Sequence, residues 1–173
     1  CQFANIKKIV MAIDRTLKFN MTNTVKNSFS PVNQEIVEQL MVIELACHPH
    51  PWSEQTFRSC IDGRYFGQYL SVDNTLMGFY VGEHVAGEST LMDICVAPEQ
   101  QGKGYGKALL LQFFAHCKQL DTKNIFLEVR AKNISAQMLY INQGFTEISR
   151  RTGYYPSNTG FGYEDAIVMS KKL

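Results

Sequence analysis

The spacing of apolar residues in the first half of the chain predicts two helices followed by three strands. Residues 34–46 carry Ile, Val and Leu side chains near helical spacing, and the His-Pro-His-Pro segment that follows ends this helix. Ser53 is a typical N-cap for a second, short helix. Aromatic and apolar runs separated by turn residues then predict strands at 65–72, 76–81 and 89–96. The third run is nearly all apolar, which is typical of a central, buried strand.

The second half of the chain alternates helices and strands. Leu109, Phe113 and Cys117 recur every four residues, which predicts one apolar face on a helix from about 105 to 120. The remaining elements are predicted as a strand at 124–130, a helix at 135–143, strands at 145–150 and 164–169, and a turn-rich loop at 153–162. This order predicts an α/β fold in which a mixed sheet forms one layer and helices cover its faces.

Composition and charge narrow the class of protein. The 173 residues suit one domain, and 45% hydrophobic with 19% charged residues is an ordinary globular composition. With a net charge of +1, the chain lacks the broad positive potential that is typical of nucleic-acid-binding proteins. No apolar stretch is long enough to span a bilayer. Five cysteines, an odd number without a CxxC pair, favour a reducing compartment. We therefore expect a cytoplasmic monomer without nucleic-acid or membrane partners.

The N-terminal segment stands apart from this pattern. Its apolar run, between residues 3 and 13, is interrupted by two lysines and lacks a small-residue cleavage site, so it does not resemble a signal peptide. We expect residues 1–31 to be a poorly ordered extension and residues 32–173 to form the folded domain.

A glycine-rich turn joins the buried strand at 89–96 to the following helix. Its residues are Gln101, Gly102, Lys103, Gly104, Tyr105, Gly106 and Lys107. Glycines let a ligand approach the backbone closely, and a helix N-terminus presents free N–H groups, so the turn can cradle a diphosphate. It lacks the Gly-Lys-Ser/Thr ending of a Walker loop and the context of a dinucleotide-binding fingerprint. On the glycines alone, a tight structural turn is an equally good interpretation.

Two further residues carry candidate chemistry. Glu128 alternates with the apolar positions of the strand at 124–130 and therefore faces away from them, as either a solvated carboxylate or a base on a rigid strand. Tyr140 lies on the helix that follows this strand. Taken alone, Tyr140 is more simply a core aromatic than a proton donor.

Together these segments resemble the acetyl-CoA-binding core of the GNAT superfamily of N-acetyltransferases. The resemblance rests on Gln-x-x-Gly-x-Gly before a helix, on Leu127-Glu128-Val129 in a strand, and on Asn-x-x-Ala-x-x-Leu-Tyr-x-x-x-Gly-Phe at residues 133–145. More narrowly, the chain is similar to the bacterial ribosomal-protein-alanine N-acetyltransferases. That similarity rests on Pro51-Trp52-Ser53, Ile94-Cys95-Val96-Ala97-Pro98 and Arg150-Arg151 with Tyr154-Tyr155-Pro156. It covers about residues 33–170.

The resemblance implies the GNAT fold, a central twisted mixed sheet flanked by helices, and acetyl-CoA as co-substrate. It implies that the backbone of Ile94, Cys95 and Val96 pairs with the pantetheine arm. The turn from Gln101 to Lys107 would bind the pyrophosphate, and Asn133 would contact the coenzyme from the other side. Glu128 matches the general base of the family and Tyr140 its general acid. The residues expected at the acceptor peptide are Trp52, Tyr154 and Tyr155.

The implied reaction is direct acetyl transfer in a ternary complex to the N-terminal alanine of a small-subunit ribosomal protein, the eighteenth. Two alternatives stay open: an acetyltransferase for a small-molecule amine, and a non-catalytic acetyl-CoA-binding module. A longer segment at 157–163 than is usual in the family puts the choice of acceptor in doubt.

The sequence also contains a candidate metal site. Cys47, His48 and His50 lie close together along the chain. Two prolines restrict the histidines and no fourth ligand is evident, so the sequence predicts no metal.

Overall fold

The computed structural model describes residues 27–157 and 161–173. Its four α-helices are α1 (Val37–Cys47), α2 (Glu54–Ser59), α3 (Tyr105–Gln119) and α4 (Ile134–Asn142). Its seven strands are β1 (Asn27–Pro31), β2 (Tyr65–Val72), β3 (Thr75–Val85), β4 (Glu88–Val96), β5 (Asn124–Arg130), β6 (Thr146–Pro156) and β7 (Tyr163–Lys172). A 3-10 turn, Pro98–Gln100, precedes the glycine-rich segment. No helix among the described residues is long and apolar enough to cross a membrane.

All seven strands form one mixed sheet in the order β1-β2-β3-β4-β5-β7-β6. Only β4 and β5 run parallel, and every other neighbouring pair is antiparallel. The predicted α/β fold with a single mixed sheet is therefore confirmed.

The folded domain begins earlier than the sequence indicated. Residues 27–31 pair with β2 along their whole length, from Asn27 opposite Val72 to Pro31 opposite Gln68. The expectation of a poorly ordered extension is wrong for these five residues, because a polar edge strand lacks the apolar pattern that would reveal it. The rest of that prediction, residues 1–26, lies outside the described residues.

Helices cover both faces of the sheet and define two apolar cores. On one face, α1 and α2 pack over a cluster that includes Leu40, Phe57 and Phe79. On the other face, α3 and α4 pack over a larger cluster that includes Phe113, Leu127 and Tyr140. Alternate residues of a strand point to opposite faces, so neighbouring positions on β4 and β5 serve different cores.

Three strands are longer than the sequence predicted. β7, predicted at 164–169, runs from Tyr163 to Lys172. β3 continues through Gly82 to Val85, where Ala86 and Gly87 turn the chain with φ of +51° and +82°. β6 continues to Pro156, so the loop predicted at 153–162 is wrong for its first four residues. Apolar periodicity fails there because β6 is exposed along most of its length.

The parallel pair at the centre of the sheet separates after a short contact. β4 and β5 pair only from Glu88 opposite Asn124 to Leu91 opposite Leu127. Beyond this point β4 keeps its bonds to β3, and β5 keeps its bonds to β7. A V-shaped gap therefore opens between the two central strands.

Candidate active site

A cavity of about 680 Å³ occupies the gap between β4 and β5. It is bounded by the end of α1, by β4 and β5, by the glycine-rich turn and by α4. The predicted site residues that line it are Trp52, Ile94, Cys95, Val96, Gln101, Gly102, Gly104, Gly106, Lys107, Glu128, Asn133, Tyr140 and Tyr155. Three other predicted site residues, Lys103, Tyr105 and Tyr154, are not among the lining residues.

The glycine-rich turn presents main-chain atoms to open space. Gly102 and Gly104 have φ of +74° and +89°, a conformation that L-residues rarely adopt. A Cβ atom at either position would meet nothing within 4 Å. The first helical bond of α3 runs from the Ala108 N–H to the Gly104 carbonyl at 3.1 Å, so the N–H groups of residues 105–107 have no helical partner. Free N–H groups at the positive end of a helix dipole suit a diphosphate.

Beyond Leu91, the edge of β4 that faces the cavity is free of a neighbouring strand. The Ala97 N–H donates to the Met77 carbonyl of β3 at 2.9 Å, so the Val96 carbonyl of the same peptide group points away from β3. This carbonyl accepts bonds from Gln101 Nε2 and from Cys47 Sγ, both at 3.1 Å. An extended ligand arm can pair with such an edge as an added strand would.

Glu128 lies on the cavity wall formed by β5 and is held by an arginine of β6. Arg151 Nη1 donates to Glu128 Oε1 at 2.6 Å, and the guanidinium also stacks on the Tyr154 ring, 3.7 Å from its centroid. The Glu128 side chain stays 30% exposed, so a water or an amine can reach it. The ion pair orients the carboxylate without sealing it.

Tyr140 reaches the same cavity from the opposite face of the sheet. It lies on α4, is buried, and packs edge-on against Phe145 with ring centroids 5.8 Å apart. Burial raises the pKa of the phenol well above its ordinary value, and the nearby Asp93 and Cys95 raise it further. The hydroxyl therefore stays protonated, and its proton is available for donation.

Arg130 fixes the far wall of the cavity. Its Nη1 donates to the Pro156 carbonyl at 2.9 Å and lies 3.4 Å from Glu164 Oε2. Its guanidinium also stacks on the Tyr155 ring, 4.4 Å from the centroid. These contacts hold the end of β6 over the opening.

A cluster of polar side chains that the sequence reading missed lies where α1 meets β4. Its members are Glu44, His48, Asp93 and Cys95, whose ligand-type atoms all lie within 4.8 Å of one another. Of these, only Cys95 was a predicted site residue, and it was predicted for its backbone. The spacing of Glu44 and His48, four residues apart on a helix, is the signal that could have indicated a shared face.

Two carboxylates of this cluster, Glu44 and Asp93, lie close together, and each disfavours the charge of the other. Burial and the neighbouring Asp93 raise the pKa of Glu44 to about 7. The hydrogen bond that His48 donates to Asp93 raises the pKa of the imidazole despite its partial burial. Contact with Cys47 and burial raise the pKa of the Cys95 thiol, which stays protonated.

Comparisons with known proteins agree with this geometry. Residues 34–145 match the family model described as "Acetyltransferase (GNAT) family". A "[Ribosomal protein bS18]-alanine N-acetyltransferase" of Haemophilus influenzae is 38% identical over 133 residues, which cover 77% of this chain and 90% of that one.

Solved structures give the same result. The ribosomal-protein-S18-alanine N-acetyltransferase from Escherichia coli superposes with a TM-score of 0.81 and 34% identity over 86% of this chain and 94% of that one. Arabidopsis thaliana NAA60 in complex with acetyl-CoA shares the fold, with a TM-score of 0.75 and 18% identity over 86% of this chain and 99% of that one. The predicted family and fold are confirmed: the chain belongs to the acetyltransferase (GNAT) family.

Proposed function

We propose that this acetyltransferase moves the acetyl group of acetyl-CoA to the N-terminal alanine of ribosomal protein bS18. The observation that carries the proposal is the 38% identity to a bacterial enzyme named for that acceptor, over 90% of its length. The 34% identical Escherichia coli structure, named for the same acceptor, supports it. The acceptor is thus a protein N-terminus held close to the gap between β4 and β5.

The described residues fit acetyl-CoA as co-substrate. The N–H groups from Gly102 to Lys107 would hold the pyrophosphate, and the free edge of β4 at Ile94–Val96 would pair with the pantetheine arm. Asn133 caps α4 by accepting a bond from the Ala136 N–H at 3.1 Å, and it lines the cavity on the other side. The coenzyme supplies an activated acetyl thioester. The turn and the strand edge aim that thioester into the gap.

Glu128 and Tyr140 are the proposed catalytic residues. The α-amino group has an ordinary pKa near ~8, so a modest base suffices, and Glu128 takes its proton directly or through a water. The amine nitrogen bonds to the thioester carbon, the carbon–sulfur bond breaks, and Tyr140 donates a proton to the departing sulfur. Transfer is direct, in a ternary complex, and no acetyl-enzyme forms.

The acceptor would enter past the aromatic residues at the end of β6. Tyr155 is fixed there by Arg130. Trp52, which follows α1, lines the opposite side of the cavity. Tyr154, 43% exposed and stacked on Arg151, would contact the peptide outside the cavity.

The test is an acceptor panel measured by thiol release from acetyl-CoA. We expect rapid turnover with a short peptide that begins with alanine, and little with spermidine or with the same peptide blocked at its N-terminus. Preference for the polyamine would replace this proposal with a small-amine acetyltransferase. If the protein bound acetyl-CoA but acetylated no acceptor, the non-catalytic acetyl-CoA-binding module would be the correct alternative.

The acceptor can also be tested in cells, by mass spectrometry of ribosomal proteins from cells with and without the enzyme. Loss of one acetyl mass from bS18 alone would identify the acceptor. The proposal includes a cytoplasmic monomer without a membrane partner. A net charge of only +1 argues against nucleic-acid binding as well.

A further inference from the structure

Four side chains with metal-binding atoms converge where the end of α1 meets β4. Glu44 lies in the last turn of α1 and His48 is its C-cap residue, four positions later on the same face. Asp93 and Cys95 lie two residues apart on β4, so both side chains point toward α1. All four line the wall of the cavity.

Five distances between the four donor atoms are close to those of a tetrahedral zinc site. His48 Nε2 lies 2.9 Å from Cys95 Sγ, 3.3 Å from Asp93 Oδ1 and 3.6 Å from Glu44 Oε2. Cys95 Sγ lies 3.2 Å from Glu44 Oε2 and 3.6 Å from Asp93 Oδ1. A tetrahedral zinc ion, with Zn–S of about 2.3 Å and Zn–N or Zn–O of about 2.0–2.1 Å, requires donor–donor distances of about 3.3–3.5 Å. The five distances, from 2.9 to 3.6 Å, bracket that value, so small side-chain shifts suffice to reach it.

Hydrogen bonds alone do not satisfy these groups. His48 Nε2 can donate only one hydrogen, yet it faces two carboxylate oxygens and a sulfur. Asp93 is 9% exposed, and its Oδ2 is buried without a partner anywhere in residues 27–157 and 161–173. A buried carboxylate with an unpartnered oxygen is costly, and a cation bound at Oδ1 offsets part of that cost by neutralising the charge of the carboxylate.

The surroundings hold the donors in place. The Trp52 N–H donates to Glu44 Oε1 at 2.8 Å, which turns Oε2 toward the other three donors. Metal sites commonly orient their carboxylate ligands through such bonds to the second oxygen. Glu44 is only 1% exposed, so its carboxylate cannot turn to solvent instead.

We propose that Glu44, His48, Asp93 and Cys95 form a four-coordinate Zn²⁺ site. One sulfur, one imidazole nitrogen and two carboxylate oxygens suit zinc, whereas Mg²⁺ and Ca²⁺ prefer oxygen ligands alone. Four protein donors leave no open position on the ion. The ion is therefore structural, ties α1 to β4 beside the cavity, and polarises no substrate. Binding displaces the Cys95 thiol proton to solvent.

The decisive experiment loads the chelator-treated full-length protein with Co²⁺ and with Zn²⁺. We expect one metal ion per chain by elemental analysis, and a tetrahedral Co²⁺ spectrum with a thiolate-to-cobalt band in the near ultraviolet. Competition with a chromophoric chelator gives the Zn²⁺ affinity. Excess Zn²⁺ over the dissociation constant raises the melting temperature, since the ion binds the folded state.

Variants separate this site from adventitious binding. Cys95→Ala should abolish the near-ultraviolet band and weaken Zn²⁺ binding by about 100-fold or more, in line with the loss of a ligand. Asp93→Asn should weaken it as well, and serves if Cys95→Ala does not fold. The matched controls are His50→Ala, two residues beyond a proposed ligand, and Cys60→Ala, a buried thiol on the same face of the sheet. Both should bind Zn²⁺ like the parent protein.

Results with the parent protein or with the two ligand variants can overturn the proposal. An octahedral Co²⁺ spectrum without a thiolate band, or less than one Zn²⁺ bound per chain at micromolar concentration, would rule the site out. Unchanged Zn²⁺ affinity in both Cys95→Ala and Asp93→Asn would do the same. Because none of these readouts uses acetyl transfer, they stand apart from the proposed function.

Discussion

Tyr140 combines burial with access to the reaction cavity, and its hydroxyl is the proposed proton donor. We predict that Tyr140→Phe lowers kcat by about 100-fold or more, because the departing sulfur loses its acid. Acetyl-CoA affinity should change little, since the ring and its packing against Phe145 remain. Steady-state kinetics and direct coenzyme binding measure the two quantities separately.

The matched control is Tyr69→Phe, which removes a hydroxyl from a half-buried tyrosine on the other face of the sheet. It should leave kcat unchanged. A Tyr140→Phe enzyme with the kcat of the parent would remove this residue from the acid role.

Glu128 is the proposed base, and its role is visible in the pH dependence. In Glu128→Gln the amine must lose its proton unaided, so we predict that the kcat/KM profile moves to higher pH, toward the ordinary pKa of an α-amino group near ~8. Glu147→Gln is the matched control, because Glu147 is also paired with an arginine at 2.6 Å but lies exposed on β6, and it does not line the cavity. Coincident profiles for Glu128→Gln and the parent would show that the amine arrives neutral without help.

The buried thiol of Cys117 makes the stability of the fold depend on pH in the alkaline range. Burial raises the pKa of its thiol from 9.0 to about 11. Below pH 9 the folded and unfolded states both keep the proton, whereas between pH 9 and pH 11 only the folded state does, so stability falls as pH rises. Two units of pKa correspond to roughly 2–3 kcal/mol.

We therefore predict that Cys117→Ala loses less free energy of unfolding between pH 9 and pH 11 than the parent, by roughly 2 kcal/mol. Urea titrations at several pH values measure it. From pH 7 to pH 9 the two proteins should run parallel, which separates the titration from any packing loss. Parallel curves up to pH 11 would contradict the assignment.

At the scale of elements, glycine is needed at position 104, in the turn before α3, for two reasons: the backbone conformation and the space for the ligand. Its φ of +89° disfavours any side chain, and a Cβ would project into the open space where the diphosphate is expected. We predict that Gly104→Ala costs about 1–2 kcal/mol of stability and raises the KM for acetyl-CoA at least about tenfold.

Gly87→Ala separates strain from coenzyme contact. Gly87 has a similar φ of +82°, and a Cβ there would also meet nothing within 4 Å, but it lies in the β3–β4 turn. It should lose similar stability and keep its KM. An equal rise of KM in both variants would mean that strain alone explains the effect.

Most elements were predictable because their apolar faces are continuous. β2 and β5 have the predicted bounds, and α3 differs by one residue at its end, since each carries a regular set of buried positions. β1 and the end of β6 were not predictable, because they lie at the sheet edges and bury little. Ser53 caps α2 as predicted, through its bond from the Thr56 N–H at 3.1 Å.

At the scale of the whole molecule, the cavity unites segments that are distant along the chain. The glycine turn, Glu128 and Tyr140 were predictable because a familiar order of motifs carries them. The Glu44 cluster was not, since Glu44 and Asp93 lie 49 positions apart and only the packing of α1 on β4 brings them together. The bond from Arg151 to Glu128, across 23 positions, depends likewise on the pairing of β6 with β7.

The separation of β4 from β5 after Leu91 has a consequence for turnover. On the proposed function, the coenzyme arm fills the gap and completes the sheet, so the loaded enzyme should be stiffer than the empty one. Amide protons of β4 beyond Leu91 that face the gap rather than β3 should exchange slowly with acetyl-CoA or with spent CoA, and fast without either. Spent CoA keeps the same pantetheine arm, so it must also leave this gap. Separation of the arm from the β4 backbone would then set the rate of CoA release and limit turnover.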